Sequence, residues 1–301
     1  MPTVTASAPA KVNLWLGVGA PGRDGYHPLA TVFHALNLED KVRAEPTELG
    51  AGIRITVEGE GADSVPTDAS NLAWRAAEAV SKMANVSADV HLHLIKSIPV
   101  AGGMAGGSAD AAAALVACDA LWNAGLSRSD LHTLGATLGS DVPFALHGGT
   151  AIGTGRGDRL TPVLGRGEYH WVLAFAEGGL STPAVYAELD RLRGENVASL
   201  GIPDGLMSAL RAGDPLALGG ELGNDLEPAA LSLRPTLGLL IEDGLDAGAL
   251  GAQISGSGPT CVFLAKSREH ALDLAARLSG TGNCRTVATA SGPAAGARIV
   301  G

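Results

Sequence analysis

Four glycines, a serine and an aspartate crowd into one short run, Ile98-Pro-Val-Ala-Gly-Gly-Met-Ala-Gly-Gly-Ser-Ala-Asp110, just ahead of an alanine-rich segment. Residues without side chains let backbone N–H groups come close to an anion, and a helix starting there adds unpaired donors and partial positive charge. Gly102 to Ser108 therefore reads as a phosphate trap, with the Ser108 hydroxyl offered to phosphate or magnesium. Gly102 and Gly107 have P-loop spacing, yet Ser108 stands where that motif requires lysine, so this is a different loop. The plain alternative is a flexible turn before a helix; four glycines followed at once by a hydroxyl argue against it.

Two charged residues elsewhere suit the same chemistry. Ala8-Pro-Ala-Lys-Val-Asn-Leu-Trp-Leu16 puts Lys11 and Asn13 two apart in an otherwise apolar strand, hence on one face. A lone lysine there is ordinarily an edge guard; a phosphate loop gives it a second reading. Gly139-Ser-Asp141-Val-Pro-Phe144 sets Asp141 before a proline-started turn, where it either caps a helix or serves as a base. Phosphoryl transfer calls for a carboxylate that accepts the hydroxyl proton and a cation that balances charge. A second Gly/Ser loop, Ser255-Gly256-Ser257-Gly258, runs straight into an apolar strand and is either a hairpin or another wall of the pocket. Gly17-Val-Gly-Ala-Pro-Gly22 formally matches a dinucleotide fingerprint, but that needs a helix start, and Pro21 with Gly22-Arg-Asp-Gly25 keeps the chain in turns.

Strands and helices must alternate to position these residues. Val4–Val18 reads as a strand or strand pair, with further strands over 54–58 and 90–96 and an alanine-spaced helix over 71–83. A long helix follows Ser108, a second covers 129–138 and ends at Gly139, and a glycine-rich connection over 148–157 separates two halves. Beyond it, strands are expected over 171–176 and 261–265, and helices over 182–193, 236–245 and 269–278.

At 301 residues the chain can hold two domains, each with its own core. With 46% hydrophobic and 17% charged residues it is neither disordered nor fibrous. A net charge of −10 argues against a general nucleic-acid or membrane-surface binder, so any phosphate must be gripped locally. Three cysteines, Cys118, Cys261 and Cys284, lie far apart without metal-ligand spacing and fit a reducing compartment. The first residues lack a signal pattern and no window approaches the ~18 apolar residues of a span. The expectation is a cytoplasmic protein.

Pro9-Ala-Lys11, the loop from Pro99 to Ala109 and Gly256-Ser-Gly-Pro259 together resemble the GHMP kinase superfamily, in its usual order and across the whole chain. Within it, Arg23-Asp-Gly-Tyr-His27, Leu138-Gly-Ser-Asp-Val-Pro143, Ser181-Thr-Pro-Ala-Val-Tyr186 and Asn224-Asp-Leu226 are similar to the 4-diphosphocytidyl-2-C-methyl-D-erythritol kinases of the non-mevalonate isoprenoid pathway.

The resemblance implies an α+β fold in two lobes, residues 1–155 binding ATP and carrying the catalytic groups and 156–301 forming the C-terminal GHMP kinase domain. It implies ATP and Mg2+, a CDP-linked methylerythritol as substrate, and no nucleic acid, membrane or obligate protein partner. Asp141 would be the base on the 2-hydroxyl, with Lys11 orienting it and stabilising charge. Pro99, Val100, Ala101, Gly102, Gly103, Met104, Ala105, Gly106, Gly107, Ser108 and Ala109 would hold the nucleotide phosphates, with Asn71 and Lys96 facing the adenine. Asn71 is equally a helix cap and Lys96 a strand-end charge. Tyr26 and Tyr186 would sandwich the cytosine and His27 read its edge. Asn13 and Thr182 would lie near the methylerythritol, and the Ser255–Gly258 loop would support the site. The family often has leucine at Met104 and a second serine at Ala109; losing that hydroxyl bears on how a magnesium shell is completed. A homoserine or mevalonate kinase would share the general motifs but has no use for Tyr26, His27 and Tyr186. A silent nucleotide sensor would not need both Lys11 and Asp141.

Overall fold

Small and apolar residues make β1 (Val4–Val18), and β2 (Leu29–Pro46) returns antiparallel along nearly all of it. The register shifts between Pro9 and Ala10 and again between Asn13 and Trp15, so Lys11 and Asn13 sit between two irregularities that turn side chains locally. This computed structural model describes residues 3–23, 25–194 and 200–301.

β3 (Ile53–Gly59), α1 (Leu72–Ala84) and β4 (Val90–Lys96) follow, β4 pairing with β2 on one side and in parallel with β3 on the other. Then come α2 (Gly106–Trp122), α3 (Arg128–Leu138), α4 (Val142–His147) and the hairpin β5 (Thr150–Gly155) with β6 (Arg159–Pro162). The glycine-rich stretch expected as a connection is therefore partly strand: β5 pairs with β2 from Leu29 to His34. Gly153 is required there by steric crowding, since a Cβ would fall 2.6 Å from the Phe33 ring. The expected boundary at 155/156 falls inside this hairpin, both of whose strands belong to the first sheet.

β7 (Tyr169–Phe175) opens a second sheet, ordered β11-β7-β10-β9, with β9 (Gly251–Ile254), β10 (Cys261–Ala265) and β11 (Thr286–Gly292). Between them lie α5 (Thr182–Arg193), α6 (Asp204–Ala212), α7 (Pro215–Gly220), α8 (Glu227–Leu233) and α9 (Thr236–Asp246), and α10 (Arg268–Thr281) precedes β11. Two short strands, β8 (Gly223–Asn224) and β12 (Arg298–Ile299), cross back to flank β1. The chain is thus α+β in two lobes tied together at β1.

The cores follow from composition. α2 is buried on almost every face, and its alanines let it lie close to β1, β2 and α1. One core joins Leu14, Leu94 and Leu115 to Trp171, Leu173 and Leu206 of the second half; another packs Phe263, Val172 and Leu240 beneath α5, α8 and α10. Among the described residues no helix is long and apolar enough to cross a membrane.

Candidate active site

A cleft of about 1240 Å³ runs between the lobes. Its glycine-loop end is made by the segment joining β4 to α2. Ala101, Gly103 and Ala105 all have positive φ, at 55°, 76° and 61°, so the chain coils tightly before α2. Ala105 is the N-cap but has no side chain to cap with, leaving the first N–H groups of α2 for a ligand in the cleft. The loop is braced from two sides: the Lys11 N–H donates to the Met104 carbonyl (3.2 Å) and Ser255 Oγ donates to the Gly103 carbonyl (3.1 Å). A Cβ on Gly103 would lie 2.1 Å from the Ser255 carbonyl oxygen, so the two glycine loops pack backbone to backbone.

Pro99, Val100, Ala101, Gly102, Gly103, Ala105, Gly106 and Gly107 line the cleft. Met104, Ser108 and Ala109, expected with them, do not: Met104 and Ala109 are fully buried in the core, and Ser108 is half-buried on another face of α2. For Ser108 and Ala109 the reason is helical rotation of about 100° per residue, which puts Asp110, three and four places after Gly107 and Gly106, on the cleft side instead. Gly256 and Ser257 line the cleft, whereas Ser255 and Gly258 sit behind them.

Lys96 also reaches the cleft wall, held by two carboxylates. Its Nζ donates to Asp110 Oδ2 at 2.6 Å and to Asp40 Oδ2. Asp40 Oδ1 in turn accepts the Ser97 and Ile98 N–H groups, pinning the loop entrance. Burial would lower the Lys96 pKa, but the Asp110 and Asp40 charges outweigh it and raise it. Asp110 lies above the usual carboxylate range because it is buried beside Asp40, and its Oδ1 is buried without a partner. Asn71 lines the cleft while capping α1, accepting from the Ala73 N–H at 2.8 Å and donating to the Pro66 carbonyl at 2.6 Å.

At the centre, Lys11 Nζ donates to Asn13 Oδ1 (2.7 Å), and Asn13 Nδ2 donates to Thr31 Oγ1 (2.8 Å), which donates to the Trp15 carbonyl (2.6 Å). The ammonium also stands 5.6 Å from the centre of the Phe33 ring. Burial lowers the Lys11 pKa and the nearby Asp141 charge pulls it back up. Asp141 precedes α4, yet its side chain makes no capping hydrogen bond. The residue instead lines the same cleft as Lys11, near enough for its charge to act on the ammonium. Asn224 Nδ2 fixes the second glycine loop through the Ile254 and Gly256 carbonyls at 2.7 and 2.8 Å.

The tyrosine end is made of side chains. Tyr26, 56% exposed, has the Arg156 guanidinium 3.6 Å above its ring. The His27 and Tyr186 rings are 5.0 Å apart, and Thr182 Oγ1 meets Ser257 Oγ at 2.9 Å, joining α5 to the glycine loop. Burial and then the Asp141 charge push the Tyr186 phenol up to about 12. Asp24, part of the Arg23–His27 motif, lies outside the described residues.

Sequence reasoning missed Asp40, Asp110, Arg156, Phe33 and Asp190. Asp190 had a local signal, four residues after Tyr186 on one helix face. Asp40 had none, being 56 residues from the lysine it meets.

A glycine loop opening a helix, a buried lysine sharing a cleft with a carboxylate and a two-lobed α+β fold together mark a GHMP-type small-molecule kinase. The family description "GHMP kinases N terminal domain" matches residues 71–149, and "GHMP kinases C terminal" matches residues 206–284. A 4-diphosphocytidyl-2-C-methyl-D-erythritol kinase from Mycolicibacterium gilvum is 56% identical over 99% of this chain and 93% of its own length. A crystal structure of a 4-(cytidine 5'-diphospho)-2C-methyl-D-erythritol kinase superposes with a TM-score of 0.78 at 32% identity, over 99% of each chain. A homoserine kinase from Cytophaga hutchinsonii has a TM-score of 0.77 at 21% identity, over 100% of this chain and 98% of that one, a likeness of fold alone. The chain belongs to the 4-diphosphocytidyl-2-C-methyl-D-erythritol kinase family.

Proposed function

We propose that the protein transfers the γ-phosphoryl group of ATP to the 2-hydroxyl of 4-diphosphocytidyl-2-C-methyl-D-erythritol, giving the 2-phosphate and ADP. The observation that carries this is the placement of Lys11 and Asp141 in one cleft, between a glycine loop at one end and a Tyr-His-Tyr cluster at the other.

Asp141 accepts the proton of the acceptor hydroxyl as its oxygen attacks the γ-phosphorus and the bond to the β-phosphate oxygen breaks. Lys11, fixed by Asn13, stabilises the charge that develops. The N–H groups of the 102–107 loop and of α2 hold the polyphosphate, and the buried setting strengthens each of these interactions. Little covalent chemistry is required, so alignment of the two substrates dominates.

Magnesium fits this site as an ion shared with phosphate. Among the described residues no group of three or more His, Cys, Asp or Glu could hold a metal, whereas Asp110, which lines the cleft, has one buried carboxylate oxygen without a protein partner. Asp110 would hold the ion together with phosphate oxygens, and the ion would neutralise their charge. Asn71 and Lys96 face the adenine, and Tyr26 and Tyr186 stack on the cytosine. The nucleotide-binding unit runs through the β5–β6 hairpin and the substrate-side unit begins with β7.

A homoserine or mevalonate kinase would leave Tyr26, His27 and Tyr186 without a task. An ADP-release assay offering the CDP-linked methylerythritol, homoserine and mevalonate separately tests the reading. Turnover with the first alone is expected; turnover with another, or with none, overturns it.

A further inference from the structure

His27 stands at the tyrosine end of the cleft with its imidazole tilted 42° to the Tyr186 ring and its Nε2 2.9 Å from Asp190 Oδ1. Tyr186 and Asp190 lie four apart on α5, so one helix face supplies both contacts. The His27 side chain is only 8% exposed while that of Asp190 is 44% exposed. The ring is thus held by two neighbours, one of which can be replaced without disturbing a core.

An ionised carboxylate only accepts hydrogen bonds, so Nε2–H is the donor in this pair. A neutral imidazole has a single N–H, which leaves Nδ1 as an acceptor. No described residue bonds to Nδ1, it is not among the buried atoms lacking a partner, and His27 lines the cleft. Next to a pyrimidine, that acceptor distinguishes two edges: cytosine presents an exocyclic amine that donates, and uracil presents a carbonyl that only accepts. Reversing the tautomer to serve a carbonyl would strip Asp190 of its donor, so the wrong base leaves a polar group unpaired either way.

We propose that Asp190 is a positioning residue that sets pyrimidine specificity: it holds His27 in the Nε2–H tautomer, so that Nδ1 selects a cytidine diphosphate over a uridine diphosphate. The inference rests on the cytidine-linked substrate argued above, and its test is separate from that of the reaction.

Wild type, Asp190→Ala and Asp190→Lys are titrated with CDP and with UDP by calorimetry, and ¹⁵N resonances of His27 are recorded in the wild type. Wild type is expected to favour CDP with Nε2 protonated. Asp190→Ala should reduce the CDP-to-UDP preference about tenfold, with ATP affinity unmoved. Asp190→Lys, which offers only donors, should shift the ratio further towards UDP. Equal wild-type binding of CDP and UDP, an unchanged ratio in both variants, or a protonated Nδ1 with bare Nε2 would each overturn the proposal. If a variant melts far below the wild type, the other variant and the wild-type spectrum still decide. Phosphorylation of the CDP-linked substrate by the wild type stands apart: its absence removes the kinase reading, whereas its presence with an indifferent Asp190 removes only this one.

Discussion

The two ends of the cleft differ in material: backbone at the glycine loop, side chains at the tyrosines. Gly102, Gly103, Gly106 and Gly107 line the first end, clamped between the β1 amide of Lys11 and the carbonyl of Ser255. Tyr26, His27, Tyr186 and Arg156 line the second, with contacts that a single rotamer change would alter. Backbone amides grip any phosphate, so under the proposed function the first end recognises a phosphate and not one particular substrate. Side-chain stacking and ring nitrogens discriminate between bases, so under the proposed function the second end selects the acceptor. Lys11 and Asp141 line the same cleft, where the proposed function brings the two substrates together.

The largest test removes the centre and leaves both ends. Asp141→Asn should lower turnover about 10²- to 10⁴-fold while ATP and CDP still bind, measured by single-turnover kinetics and equilibrium titration; near-normal turnover would detach Asp141 from proton transfer. Breaking the backbone end comes next. Gly103→Ala forces a Cβ into the Ser255 carbonyl and should part the two loops, weakening ATP about a hundredfold while CDP titrates as before. Equal losses for both ligands would mean the ends are one unit. Tyr186→Ala should raise the KM for the cytidine-linked substrate about tenfold or somewhat more, with the ATP KM unchanged, from the loss of one stacking face.

The smallest effect should spare neither end. His34 of β2 is fully buried, bonded through Nδ1 to Thr150 Oγ1 at 2.8 Å, and burial lowers its pKa to about 4. The unfolded chain, with histidine near 6.5, binds the extra proton first, so stability is full above about pH 6.5 and is lost as pH falls towards 4. At pH 5.5 the loss should be about 1 kcal/mol, seen as a lower Tm than at pH 7 with both ligand sites loosening together. A flat Tm over that range would show that His34 is not held neutral.

Some elements were legible because their pattern is local. β4 and β10 occupy the stretches read from apolar runs bounded by polar residues and glycines, and α5 starts at Thr182 before Pro183 and ends before Gly194. β2 carries no local signal of this kind, because its first half is buried on both faces and shows no alternation. α6, α7 and α8 are short and were likewise unread, their boundaries set by packing and not by a long apolar period.

By itself the sequence determined that a glycine loop feeds a helix, that Lys11 and Asn13 share a strand face, and that Asp141 precedes a proline turn, since each is a matter of spacing within a few residues. Only the tertiary structure decided that Asp110 faces the cleft in place of Ser108, that Asp40 meets Lys96, that Gly103 abuts Ser255, and that Asp190 holds His27. Those outcomes depend on how helices rotate against sheets and how two lobes dock. Contacts between residues distant along the chain are settled by packing of the whole, which leaves no periodic trace in the sequence around either partner.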